Sequence, residues 1–178
     1  MKLKGKSKTM EGMLKIVQKE GRIGVKSVED IRKLVNEDKL LEAYFSIIHR
    51  LQYQLQANFH NKFHVDWKRI HQKKPQEKDI KKLWEQFTEK VDNFSTLILI
   101  SYSTSLIDKI LFDKLNELRA LRNQIAHNLT YYEPEYFITR KEVKDSTEKG
   151  IKVLSELERI SLEIVHRKTK LNPEKKND

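Results

Sequence analysis

Long stretches without a chain breaker, carrying apolar residues three and four positions apart, constrain this sequence more than any other feature. Only five glycines and three prolines (Pro75, Pro134 and Pro173) occur in 178 residues. Spacing by three and four places side chains on one face of a helix, whereas a half-buried strand needs strict alternation. The expected fold class is therefore all-α, a bundle of four to five helices with short helices at its N-terminal end. The length fits one core, since a single domain usually takes about 100–200 residues.

Read in order, the pattern divides the chain into three parts. Residues 1–26 form a basic, partly disordered N-terminal arm with a short apolar patch (Met10, Met13, Leu14, Ile16, Val17) closed by Gly21 and Gly24. Residues 27–168 form the helical domain, and 169–178 a polar tail expected to be disordered. Within the domain, Ser27-Val28-Glu29-Asp30 predicts an N-cap and a short helix to about Asn36. Asp38 to about Phe59 is the first long helix, with Leu41, Tyr44, Phe45, Ile48, Leu51, Leu55 and Phe59 as its core face. The histidine-bearing, basic stretch His60 to Lys74 is expected to be a long connection ending at Pro75.

Helical spacing resumes from Lys78 to about Tyr102, where Trp84, Phe87 and Phe94 take core positions and no site is assigned to them. Leu97-Ile98-Leu99-Ile100 is apolar all round, which predicts a buried turn or a subunit contact. Ser105-Leu106-Ile107-Asp108 has capping-box spacing, so a third long helix should start at Ser105 and run through Leu115, Leu118, Leu121 and Ile125 to a close at Asn128. The fourth runs from about Thr139 to Lys168, with a bend or break expected near Gly150.

Charge and composition narrow the function classes. The formal net charge of +10 is concentrated in three segments: eight Lys/Arg against two Glu in residues 1–26, eight against three acids in 60–82, and five against two in 166–178. Solvated loops account for such charge, and so does a polyanionic partner. The absence of cysteine removes disulfides, thiolate metal sites and a thiol nucleophile. No apolar run approaches the roughly 18 residues of a membrane span, and Met1-Lys2-Leu3-Lys4-Gly5-Lys6 lacks the apolar core of a signal peptide. A cytoplasmic protein with no membrane partner is expected.

One compact string carries chemistry: Arg122-Asn123-Gln124-Ile125-Ala126-His127. An arginine neutralises a phosphate, and a histidine titrates near neutral pH and moves protons. Together they suffice to cleave RNA with no cofactor and no metal, because the 2′-hydroxyl is a nucleophile already adjacent to its phosphodiester. The alternative reading of the same string is a helix end closed by favourable cations.

Placed on the third of four long helices after Leu118-Arg119-Ala120-Leu121, this string resembles the Arg-x4–6-His motif of the HEPN superfamily, small helical bundles that include many metal-independent ribonucleases. The resemblance covers roughly residues 38–168. It implies a HEPN-like bundle, an endoribonuclease with Arg122 and His127 as its catalytic pair and Asn123 orienting them, and products with a 2′,3′-cyclic phosphate and a 5′-hydroxyl. It also implies a homodimer joining two motifs, a toxin or antiviral setting, and an antitoxin or regulatory protein as partner. Two departures stand out: the tyrosine that many members carry two residues after the histidine is replaced by Leu129, and His49-Arg50 occupies the place where many carry an acid. Asp108 and Glu117 are the remaining acidic candidates. A non-catalytic HEPN-like module binding RNA, nucleotide or a partner protein is the alternative.

Arg119 and the trio Trp67, Lys68 and Arg69 are candidate RNA contacts, since basic and aromatic side chains together suit single strands. His60 and His64 have the spacing of two metal ligands on a helix, a pattern that surface histidines also produce, and no metal site is assigned.

Overall fold

The computed structural model describes residues 25–71, 76, 78, 93–131 and 138–170. Among them are five helices: α1 (Val28–Asn36), α2 (Leu40–His71), α3 (Phe94–Ser103), α4 (Lys109–Tyr131) and α5 (Arg140–Lys170). The described residues contain no strand, so the fold is an all-α bundle. The N-terminal arm to residue 24, the Trp84 and Phe87 positions and the tail from residue 171 lie outside the described residues.

Local signals start most of these helices. Ser27 Oγ accepts the Asp30 amide at 3.1 Å, and Asp30 returns a bond to the Ser27 amide at 3.2 Å, closing a capping box on α1. Thr139 and Glu142 make the same reciprocal pair at α5. Asn93 caps α3 by accepting the Ser95 amide at 3.0 Å. The expected unbroken helix from Lys78 to Tyr102 is thereby corrected, because a new helix begins at Phe94.

Tertiary packing corrects four further boundaries. Helix α4 is capped by Asp108, whose Oδ1 accepts the Leu111 amide at 2.8 Å, and not by Ser105, which takes a left-handed φ of 53°. Leu106 and Ile107 are drawn into the core and donate their amides to the Ser101 carbonyl, leaving Ser105 in the tight turn. Helix α2 continues through His71, replacing the expected connection after Phe59: no glycine or proline interrupts it, Phe59 and Val65 pack on the core, and Lys62 pairs with Asp66 one turn on. Helix α4 runs past Asn128 to Tyr131. Helix α5 has no break at Gly150.

Gly150 is buried where α5 meets α2, and a Cβ there would fall 2.9 Å from Ile47 Cγ1. The missing side chain lets the two backbones approach. Farther along, Asn58 Nδ2 donates to the Leu157 carbonyl at 2.7 Å, so α2 and α5 run in the same direction along the most extensive helix interface among the described residues. Helix α4 runs opposite to α5, tied by Lys114 to Glu156 and Lys149 to Glu117.

The core stripe of α2 consists of Ala43, Tyr44, Ile47, Ile48, Leu51 and Leu55. Leu41 and Phe45, expected in that stripe, lie off its side and are exposed, and in the Leu97 to Ile100 run, expected to be buried all round, Leu99 is exposed. Leu41 and Phe45 satisfied the three-and-four spacing, but a helix packed on one side buries a narrower arc than that spacing admits.

Candidate active site

The position of the Arg122 to His127 string follows from the register of α4. Leu111, Leu115, Leu118 and Ile125 are buried and fix the helix against the core. The adjoining stripe, Phe112, Asn116, Arg119 and Asn123, is spaced by four, three and four, and its members Phe112 and Arg119 touch α3. The Phe112 ring lies 4.6 Å from that of Tyr102, and Arg119 Nη1 donates to Ser95 Oγ at 3.1 Å. These two contacts set α3 antiparallel to α4 and bring its first turn beside the turn of α4 that carries Arg119. The Arg119 Nε is buried without a hydrogen-bond partner.

Arg122 is exposed, and its Nη1 donates to Asn123 Oδ1 at 3.3 Å. Asn123 is half-buried, and His127, four residues on, is exposed. Asn123 thus adjoins Arg122 by a hydrogen bond and shares a face with His127 by helical spacing. Arg122 and His127 are five residues apart, which an α-helix turns into about 140° of rotation and about 7.5 Å of rise. Asn123 therefore stands between the two, bonded to Arg122 and one turn before His127, while the arginine and the histidine leave the helix in different directions. Because α4 extends to Tyr131, His127 precedes the final turn, and the helix dipole acts on it less than a terminal position would allow.

The acidic candidates hold structural positions. Asp108 caps the far end of α4, about 21 Å along the axis from Arg122. Glu117 is paired with Lys149 of α5. Arg50, standing where an acid was sought, reaches Glu158 at 3.4 Å and the Lys26 carbonyl at 3.3 Å.

Trp67, Lys68 and Arg69 belong to α2, and their side chains lie outside the described residues. Their backbone is far from the string. Tyr44 meets α4 at Leu118, and Trp67 is 23 residues further along α2, about 35 Å at helical rise. Lys62, Val65 and Asp66, on the turns before Trp67, line a cavity of about 140 Å³ with Ser105 and Leu106 from the opposite end of the bundle. The rings of His60 and His64 are 4.6 Å apart, and no group of three potential metal ligands occurs among the described residues.

Sequence reasoning missed two contributors to this region. Ser95 had no signal of its own, because its role depends on α3 folding back on α4. Tyr44 did have one: it is the hydroxyl-bearing residue within an otherwise aliphatic stretch of the α2 core stripe, and its hydroxyl donates to the Leu118 carbonyl. No helix among the described residues is long and apolar enough to cross a membrane. No family model, curated protein or solved structure matches the chain.

Proposed function

We propose that this chain is a HEPN-type endoribonuclease that cleaves RNA in the cytoplasm without a metal. The observation that carries the reading is the exposed Arg122, hydrogen-bonded to Asn123, with an exposed His127 one turn beyond that asparagine. In the proposed reaction the 2′-oxygen attacks phosphorus, the bond from phosphorus to the 5′-oxygen breaks, and a 2′,3′-cyclic phosphate and a 5′-hydroxyl result. His127 takes the 2′-hydroxyl proton or delivers one to the 5′-oxygen, and Arg122 stabilises the charge growing on the phosphorane oxygens. Asn123 orients the guanidinium.

One chain supplies one histidine of this motif, whereas an acid and a base are both needed. A homodimer that brings two α4 helices together provides the second, and it also offers each histidine an arginine from the other copy. The rotation separating Arg122 from His127 within one helix supports that arrangement. The biological setting that suits such an enzyme is a toxin or antiviral defence component held in check by an antitoxin or regulatory protein.

The same rotation favours a second reading, a non-catalytic HEPN-like module that binds RNA, nucleotide or a protein through Arg119 and Arg122. The two separate on one experiment. Incubation of labelled single-stranded RNA with the protein in EDTA yields cyclic-phosphate products under the first reading, none from a 2′-deoxy substrate, and a loss of about 10²–10⁴-fold in rate for His127→Ala. Salt-sensitive binding without products, unchanged in His127→Ala, establishes the second.

A further inference from the structure

The geometry points to Tyr44 as a positioning residue for Arg122, acting through the Leu118 carbonyl. This rests on the proposed role of Arg122 and adds a residue from a different helix. Tyr44 is fully buried in α2, and its hydroxyl donates to the Leu118 carbonyl oxygen of α4. In an α-helix that carbonyl is also the acceptor for the amide four residues on, which is Arg122. A carbonyl oxygen has two lone pairs, so it holds both donors at once. The turn that presents the Arg122 side chain is thereby fixed to α2 by a buried polar bond as well as by apolar packing.

Two further observations suit this role. Burial pushes the Tyr44 phenol well above its ordinary pKa, against a smaller opposing pull from the backbone amide and the charge of Arg122. It therefore remains a protonated donor throughout the range in which histidine titrates. Phenylalanine would fill the same volume. What the hydroxyl adds is direction: it draws the shared carbonyl toward α2 and sets the register of the following turn.

The test compares Tyr44→Phe with Asn58→Leu, a control that removes another buried bond from α2 to a backbone carbonyl, the one to Leu157 on α5. Both variants are followed by the 15N–1H signal of the Arg122 guanidinium and by the kinetics of RNA cleavage. A positioning role predicts that Tyr44→Phe shifts or broadens the Arg122 signal and lowers kcat about tenfold with KM unchanged, while Asn58→Leu does neither. An Arg122 signal unmoved in Tyr44→Phe, or moved equally in both variants, overturns the proposal. If the signal responds to Tyr44→Phe alone and the wild-type protein cleaves no RNA, the positioning stands and the endoribonuclease reading fails.

Discussion

Arg119 of α4 and Ser95 of α3 are joined by a hydrogen bond of 3.1 Å across an antiparallel helix pair. That bond uses one nitrogen of a guanidinium whose Nε is already buried without a partner. Ser95→Ala should therefore destabilise the protein by about 1–2 kcal/mol, since a part-buried charged donor loses its acceptor. Thermal unfolding checks this. Arg119→Ala should weaken RNA binding at low salt and reduce the salt dependence by about one phosphate contact, with the dependence of log Kd on log salt as the measurement.

The close approach of α2 and α5 predicts a result opposite to helix propensity. Alanine in place of a mid-helix glycine gains about 1 kcal/mol in an open helix. At Gly150 the added methyl meets the branched side chain of Ile47 at 2.9 Å, and overpacking of this kind costs about 1–3 kcal/mol. Gly150→Ala should lower stability by about 1 kcal/mol net, read from chemical denaturation. A gain would mean that the two helices separate more easily than their packing implies.

Acid should loosen the starts of α1 and α5. Asp30 is held below the usual carboxylate range by the hydroxyl and amide of Ser27, and Glu142 likewise by the amide and hydroxyl of Thr139. A carboxylate whose pKa is lower in the folded state contributes stability that is fully present above its unfolded value, near pH 4, and lost as pH falls through the lower folded value. The difference in Tm between wild type and the double variant Asp30→Asn/Glu142→Gln should shrink between pH 6 and pH 2.5. An unchanged difference would show that the caps act without their charge.

Which parts of the fold were legible depended on how far apart the determining atoms lie in sequence. The Ser27 cap was readable because both partners of its capping box fall within four residues. The Ser105 to Asp108 string has the same spacing, yet the cap is Asp108, because burial of Leu106 and Ile107 uses the residues that a helix from Ser105 would need. The basic, histidine-rich composition of His60 to His71 suggested a loop, although an unbroken run flanked by Phe59 and Val65 on the core continues the helix. In the site, the burial of Leu118 and Ile125 was legible from their spacing, and the exposure of Arg122 and His127 is what that register leaves them. The contacts of Arg119 with Ser95 and of Tyr44 with Leu118 span 24 and 74 residues, so neither partner was readable, and only the Tyr44 hydroxyl within an aliphatic stripe left a local trace.

A site completed by two copies predicts concentration dependence. Specific activity should be low in dilute protein and rise to a plateau as the dimer forms, in parallel with the mass measured by light scattering. A constant specific activity from a monomer would require one chain to supply both acid and base.

Under the proposed function His127 moves a proton in metal-independent RNA cleavage. Single-turnover cleavage of a single-stranded RNA in EDTA, by the wild-type protein and by His127→Ala, decides whether it does. A proton-transfer role for His127 gives a 2′,3′-cyclic phosphate product from the wild type and a rate about 10²–10⁴-fold lower in the variant, with its helical circular dichroism unchanged. Equal rates in the two proteins, or no cleavage by the wild type at any concentration that forms a dimer, would contradict it.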